Sequence, residues 1–101
     1  MKRKERNGLP FRSFLKEELA DPGVRKYYEE AKAGAIVARA VIIARKRSHL
    51  TQVQLAKRVK TDQKAIWRLE SGRQNATIDM LWKIAQATDS ELQVNLVPHG
   101  A

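Results

Sequence analysis

The sequence predicts a mainly α-helical domain in which two short helices meet at a tight turn, with a helical arm before it and one short β-strand after it. Residues 51–72 read TQVQLAKRVKTDQKAIWRLESG and contain capping signals for two successive helices. Upstream, Asp21-Pro22 is a strong start signal for a long amphipathic stretch. Residues 91–98 alternate between apolar and polar side chains, which is the period of a strand.

The composition argues against several classes of function. The 101 residues fit one small domain with an appended arm, and the absence of cysteine excludes disulfides and thiolate metal sites. His49 and His99 lie far apart with no ligand cluster around them. The adjacent glutamates of the N-terminal region diverge around a helix, so they do not form a catalytic carboxylate pair. We expect no enzyme activity, no cofactor and no metal.

The N-terminal sequence MKRKER is basic, but no apolar segment follows it, so we expect no signal peptide. The longest apolar stretch, residues 33–44, is interrupted by Arg39 and is too short to span a bilayer. We therefore expect a cytoplasmic protein that does not contact a membrane.

Residues 1–10 are charged and end in turn-forming residues, so we expect a flexible basic tail there. Residues 11–34 are predicted to form an N-terminal helical arm. A short amphipathic helix over residues 11–20 begins this arm, and its length requires a packing partner. Its apolar residues are Phe11, Phe14, Leu15 and Leu19.

A longer helix is predicted from Pro22 to about Arg47, and Gly34 could interrupt it. Three basic residues at its end suit the negative pole of the helix dipole. Its predicted apolar stripe consists of Tyr27, Ala31, Val37, Ala40, Val41 and Ala44.

Residues 35–90 are predicted to form the main domain, and its two short helices carry the clearest signals. Thr51 caps the first of them, and Gln54 completes a capping box. The inward-facing residues of the two helices are predicted to be Leu55, Ala56, Val59, Ile66 and Leu69.

The second short helix begins at its predicted cap, Asp62. Only Lys60 and Thr61 separate that cap from the first helix, which leaves room for a sharp turn and nothing longer. Gly72 stands where a helix end requires a left-handed residue.

The outward face of the second short helix has the chemistry of DNA recognition. Its residues are Gln63, Lys64, Trp67, Arg68 and Ser71. An amide side chain can pair with adenine in the major groove, while Lys and Arg can pair with guanine. A solvated helix face is the alternative for any single charged residue. For Trp67, packing is favoured over contact with thymine methyl groups, and a protein interface or folding back on residues 73–76 are further alternatives.

The net charge of +9 is concentrated over this motif. Residues 39–73 contain ten Lys and Arg against Asp62 and Glu70, a net charge of +8. Residues 1–38 contribute +3 and residues 74–101 contribute −2. A surface that binds DNA phosphates requires such a local excess of positive charge.

Thr77 is predicted to cap a last helix from Ile78 to about Thr88, with Trp82 at the edge of its packed face. That buried face is predicted to consist of Ile78, Leu81, Ile84 and Ala85. The strand over residues 91–98 is the only one that the sequence predicts, so its backbone needs a partner from outside the chain. We expect it to join two copies into a homodimer through Leu92, Val94 and Leu96.

The segments LTQVQLA, AIWRLESG and TIDMLWKIAQAT resemble the lambda-repressor/Cro type of helix-turn-helix, also called the Xre family. The resemblance covers roughly residues 37–89 and implies a lambda-repressor-like helical bundle. Ala56 corresponds to the small residue of the first motif helix. Ile66 and Leu69 correspond to the packed apolar pair of the recognition helix.

The resemblance also implies an ion pair between Arg45 and Glu70, although both would otherwise be read as ordinary surface charges. Lys60 departs from the glycine that the family usually has in the turn, and a left-handed lysine costs roughly 1 kcal/mol. The residues expected to contact DNA are Gln52, Asp62, Gln63, Lys64, Trp67, Arg68 and Arg73.

The complete layout, with DPGVRKYYEEA before the domain and ELQVNLVP after it, resembles the HigA-type antitoxins. This resemblance implies a protein that represses its own operon and neutralises a RelE/HigB-like ribonuclease toxin. Its expected partners are double-stranded operator DNA, the toxin and a second copy of itself. The residues expected to bind the toxin are Phe11, Phe14, Leu15, Glu18, Leu19, Tyr27 and Tyr28.

Three alternatives differ from this interpretation. The chain could be a stand-alone repressor of the same family, which has no toxin partner. A small basic ribonuclease is a third function, but no catalytic constellation supports it. The arm, finally, could pack on its own domain and enlarge a small core without binding any toxin.

Overall fold

The computed structural model describes residues 13–73 and 76–99, and the predicted tail over residues 1–10 and Phe11 lie outside them. The described part of the chain is mainly helical. Its helices are α1 (residues 13–18), α2 (Pro22–Arg47), α3 (Gln52–Arg58), α4 (Gln63–Glu70) and α5 (Ile78–Ala87). The chain divides into two compact units, Met1–Ala33 and Gly34–Ala101.

The first unit contains α1 and the beginning of α2. The Asp21 carboxylate accepts hydrogen bonds from the backbone N–H groups of Gly23 and Val24, at 2.8 and 3.3 Å, which confirms the predicted helix start. Tyr27 and Ala31 are exposed, so the predicted apolar stripe of α2 does not extend into this unit. No break occurs at Gly34, because α2 is one helix.

The second unit is built around one apolar core to which α2, α3, α4 and α5 all contribute. The predicted inward residues of α3 and α4 are buried, and Leu55 and Ile66 have no exposed surface. The core cluster consists of Val41, Leu50, Leu55, Ala56, Val59, Ile66, Leu69 and Ile84.

Two predictions about which residues are buried are wrong. In α2 the buried alanine is Ala38 and not Ala40, which lies about 200° away around the helix because each residue turns it by about 100°. In α5, Ile78 is 63% exposed, because it is the first residue of the helix and precedes the turn that packs on the core. Ile84 and Ala85 are buried as predicted, and Leu81 is half-buried.

The predicted caps all form at the starts of α3, α4 and α5. Thr51 and Gln54 make the reciprocal hydrogen bonds of a capping box, at 3.1 and 2.8 Å. Asp62 accepts from the N–H of Ala65 at 2.8 Å, and Thr77 accepts from the N–H of Met80 at 3.0 Å. Each cap satisfies a backbone donor that the first turn of a helix leaves unpaired.

The ends of α2, α3, α4 and α5 share one backbone motif. After each helix a residue with positive φ lets two N–H groups bond back to the carbonyls of the last turn, as in a Schellman motif. These residues are His49, Lys60, Gly72 and Asp89, with φ of 57°, 60°, 75° and 52°. Lys60 thus adopts the strained left-handed conformation that its place in the turn requires, at a cost of about 1 kcal/mol.

The predicted C-terminal strand is absent from the single chain. Residues 91–98 are irregular, and the described part of the chain contains no strand. Within that part, no backbone hydrogen bond joins residues 92–98 to another segment. A strand exists only where a neighbour pairs its N–H and C=O groups, and one copy supplies no such neighbour. The prediction of a strand is therefore wrong for the chain by itself.

Candidate nucleic-acid interface

The outward side of α4 is a polar and cationic surface set on an apolar base. Ile66 and Leu69 fix the helix to the core, since both are fully or almost fully buried. The opposite side chains are all exposed, namely Gln63, Lys64, Trp67, Arg68 and Ser71. Because residues three and four apart share a helix face, these side chains form one surface.

Lys64 and Arg68 are available to bind an anion. Neither forms a salt bridge within residues 13–73 and 76–99. Asp62 is an acidic neighbour in sequence, but its carboxylate accepts the N–H of Ala65 and so stabilises the start of α4. Asp62, which was also predicted to contact DNA, therefore has a structural role as a helix cap.

Two glutamines connect the starts of α3 and α4. Gln52 and Gln63 are the first residues of these helices, and Nε2 of Gln63 donates to Oε1 of Gln52 at 3.1 Å. Gln63 remains exposed, and its Oε1 and second N–H make no bond within the described residues. An acceptor and a donor on one amide are what the major-groove edge of adenine requires.

Glu70 connects Gln52 to Arg45 of α2. Its carboxylate accepts hydrogen bonds from Nε and an Nη of Arg45, at 2.6 and 3.0 Å, and from Nε2 of Gln52 at 3.0 Å. Another Nη of Arg45 donates to the carbonyl of Leu50 at 2.9 Å. The chain Arg45–Glu70–Gln52–Gln63 therefore links α2 and the core to the exposed amide.

The Arg45–Glu70 pair is largely shielded from water, with 13% and 6% of the two side chains exposed. The hydrogen bond to Glu70 raises the pKa of Arg45 above its ordinary value, and the negative charge of Glu70 adds to this effect. Burial acts in the opposite direction but is outweighed. Glu70 is the last residue of α4, where a negative charge opposes the helix dipole, and Arg45 offsets this cost.

Trp67 and Arg73 lie together at the far end of this surface. The guanidinium carbon of Arg73 is 5.5 Å from the centre of the Trp67 ring, within the range of a cation–π contact. Trp67 is 46% exposed. Among the roles considered for Trp67, this geometry matches contact with the residues that follow α4.

The sequence did not predict that Gln52 and Gln63 touch each other or that Gln52 reaches Glu70. A signal was present, since each glutamine directly follows a helix cap. The direction of the two helices relative to each other, which brings these residues together, depends on packing between Leu55, Ile66 and the rest of the core.

The other predicted site residues lie elsewhere. In the first unit, Phe14, Glu18, Tyr27 and Tyr28 are exposed, and Leu15 and Leu19 are half-buried. In the second unit, Leu92 lines a groove of about 570 Å³ together with residues of α2 and α5, while Val94 and Leu96 are exposed.

Two further observations concern the described ranges. They contain no group of three or more His, Cys, Asp or Glu side chains arranged to hold a metal ion. None of their helices combines the length and the apolar character that crossing a membrane requires.

Comparison with known families matches the helices that carry this surface. A family model described as helix-turn-helix matches residues 41–95, which is more than half of the chain and includes α3, α4 and α5. Searches of curated proteins and of solved structures returned no match.

Proposed function

Since the chain belongs to the helix-turn-helix family of the Xre/Cro type, we propose that it represses its own operon and also neutralises a RelE/HigB-like ribonuclease toxin. Membership of this family makes the chain a DNA-binding regulator. We propose two further properties, namely that the operator belongs to the chain's own operon and that the chain binds a toxin.

The observation that carries the DNA-binding proposal is the Gln52–Gln63 contact beside two cations of α4 that form no salt bridge with any residue the structure describes. An exposed amide that is held before DNA arrives loses less conformational entropy on binding than a free one. Lys64 and Arg68 lie on the same face and can reach guanine edges or phosphates. We infer that α4 lies in the major groove and that Gln52 contacts a phosphate near the start of α3.

Operator binding is tested with a duplex taken from immediately upstream of the reading frame. Arg68→Ala is expected to weaken binding by about 1–3 kcal/mol and to relax the preference at one base pair. The double variant Lys64→Ala/Arg68→Ala should lose specific binding, as measured by titration with labelled duplex at fixed salt. A matched control, Lys26→Ala/Lys83→Ala, removes the same charge from two other helices. Equal binding by wild type and the α4 double variant would contradict the proposal.

We propose that the operator is read by a two-fold dimer. One chain offers one recognition helix, whereas operators read by such motifs usually repeat about one helical turn apart. The C-terminal segment supports this proposal, because Val94, Leu96 and Val97 are exposed apolar side chains that closely follow Leu92 in the sequence, and Leu92 lines a groove. Clustered exposed apolar groups favour association.

The proposed toxin neutralisation rests on the first unit. This unit is distinct from the one that carries the DNA-binding surface. It exposes aromatic side chains, with Phe14 at 56% and Tyr27 at 75%. Residues 17–30 contain five acidic residues, Glu18 among them, against Arg25 and Lys26, a net charge of −3, which suits a toxin whose surface must be basic to hold RNA phosphate.

One simple experiment distinguishes the stand-alone repressor from the antitoxin. Expression of the chain together with the neighbouring reading frame, followed by purification through a tag on the chain, should yield a complex with a small basic protein. A partner that inhibits translation when expressed alone supports the antitoxin. A neighbouring product that neither binds nor inhibits growth would favour the stand-alone repressor.

A further inference from the structure

We propose that Trp67 and Arg73 act as one unit at the DNA, in which the Trp67 ring holds the Arg73 guanidinium for contact with a phosphate. Trp67 is then a positioning residue and not a reader of bases. This inference rests on the proposed DNA contact of α4 and names which residue beyond that helix reaches the backbone.

The backbone at the end of α4 directs Arg73 towards the ring. The N–H of Gly72 bonds to the carbonyl of Leu69 at 3.1 Å, and the N–H of Arg73 bonds to the carbonyl of Arg68 at 3.1 Å. With φ of 75° at Gly72, these two bonds form the Schellman motif that closes the helix. The chain is thereby turned back, so that Arg73 leaves the turn beside the last helical residues and not away from them.

The contact with Arg73 accounts for the exposure of the Trp67 ring to water, which would otherwise be unfavourable. Trp67 lies one turn after Gln63 on the outward face, and nearly half of its surface is exposed. The guanidinium carbon of Arg73 is 5.5 Å from the ring centre. A guanidinium over an aromatic ring is attracted by its face and keeps its N–H donors, which can still bind a phosphate in a fork-like geometry.

Arg73 has no competing partner of opposite charge in the described part of the chain. The N-terminal residues of the second motif helix contact base edges, so a cation just past the C-terminal end of α4 is placed for the phosphate backbone and not for the bases. Phosphate contacts set the register of a protein on DNA but carry no sequence information. The pair should therefore raise affinity for operator and unrelated DNA to the same extent.

A double-mutant cycle tests the coupling between the two residues. Affinity for the operator duplex is measured for wild type, Trp67→Ala, Arg73→Ala and the double variant, each at several salt concentrations. If the ring acts only through Arg73, the double variant binds within about twofold of Arg73→Ala, since the two losses are not additive. Arg73→Ala should also lower the slope of log K against log salt by about one. Losses that multiply, or an unchanged salt slope for Arg73→Ala, would overturn the proposal.

Two controls separate this inference from the proposed function. Trp67→Phe keeps an aromatic face and should retain most of the affinity that Trp67→Ala loses, whereas a base contact of the indole would not be rescued. Loss of binding in Lys64→Ala/Arg68→Ala, with additive effects at Trp67 and Arg73, would contradict only the pairing of these two residues. Unchanged binding in Lys64→Ala/Arg68→Ala would contradict the proposed DNA contact itself.

Discussion

The backbone of α2 at Gly34 lies directly against the carbonyl oxygen of Gly72, at the end of α4. A Cβ atom added to Gly34 would be 2.8 Å from that oxygen, closer than non-bonded heavy atoms come to Cβ atoms in proteins. The carbonyl belongs to a turn whose N–H groups are bonded to Leu69 and Arg68. Because Gly34 has no side chain, α2 can pack closely against the end of α4. This packing fixes the position of the Trp67–Arg73 contact.

Gly34→Ala is expected to destabilise the protein and to weaken DNA binding. Alanine gains about 1 kcal/mol of helix propensity over glycine, but overpacking costs about 1–3 kcal/mol. The loss should prevail, because the atom that must move is backbone and is held by the turn. Chemical denaturation followed by circular dichroism measures the first effect, and duplex titration measures the second.

Gly23→Ala is the matched control on the same helix. There the added Cβ would meet only the side-chain oxygen Oδ1 of Asp21, at 3.3 Å. This oxygen also caps the helix, but it belongs to a side chain and can shift by a few tenths of an ångström, so this variant should lose far less stability than Gly34→Ala and keep its affinity for DNA. Equal behaviour of the two alanine variants would mean that the contact between Gly34 and Gly72 has no positioning role.

Glu70→Ala is expected to reduce the free energy of unfolding by about 3 kcal/mol, because a buried cation loses its partner. It removes the acceptor of three hydrogen bonds, two from Arg45 and one from Gln52. The control is Lys83→Ala, which breaks the exposed pair with Asp79 at 3.2 Å and should cost at most about 0.5 kcal/mol. Similar losses for both variants would argue against a special role of the buried pair.

The pH dependence of this pair follows from the direction of its pKa shift. The pKa of Arg45 is raised in the folded state by its hydrogen bond to Glu70. The resulting stability is complete below the pKa of arginine in the unfolded chain and is lost only as the pH rises through the raised value. The difference in unfolding free energy between wild type and Arg45→Ala should therefore stay constant from about pH 7 to pH 10. A decline across that range would show that another group controls the interaction.

The features that the sequence predicts correctly are those that depend on interactions between residues close together in the chain. The capping residues Thr51, Asp62 and Thr77 bond to backbone groups three residues away, so their pattern is sufficient to place helix starts. The burial of Leu55 and Ile66 follows from the period of a short helix.

Features that depend on distant parts of the chain were missed or wrong. The phase of the long helix α2 is set by what it packs on, so Ala38 is buried and Ala40 is not. The contact between Gln52 and Glu70 needs α3 and α4 to be packed first. A strand near Leu96 needs a second backbone, and alternation of side chains alone does not supply one.

The C-terminal segment is predicted to mediate dimerisation. Leu96 is 93% exposed and Val94 is exposed as well, so both can be changed without altering the core. Val94→Asp/Leu96→Asp should give monomers with unchanged helix content and should weaken operator binding steeply, because each monomer holds only one half-site. Sedimentation at micromolar concentration gives the oligomeric state. Deletion from Glu91 onward should have the same effect on association.

The control is Ile78→Asp, which introduces a charge at an apolar residue of α5 that is as exposed as Val94, 63% against 64%. That variant should remain dimeric. If the protein remains dimeric both in Val94→Asp/Leu96→Asp and after deletion from Glu91, the segment does not mediate dimerisation.

The first unit is predicted to be needed for toxin neutralisation and not for operator binding. Residues 17–30 carry a net charge of −3, and the helices of this unit expose Phe14 and Tyr27. A chain that lacks residues 1–32 keeps the whole core of the second unit. It should melt at nearly the same temperature, bind the operator and fail to rescue cells that express the partner toxin. Rescue by this shortened chain would end the proposal that the arm covers the toxin.

A full-length variant shows whether neutralisation is lost because side-chain contacts are missing or because the whole segment is missing. Phe14→Ala/Tyr27→Ala changes two exposed rings, so it should fold normally, bind the operator and neutralise poorly. Lys64→Ala/Arg68→Ala should show the reverse, with full neutralisation and no specific DNA binding, because its changes lie on α4. If the shortened chain instead melts at a much lower temperature and loses DNA binding as well, the arm completes the core of the domain. Two variants with opposite defects would place the two activities on different units of one chain.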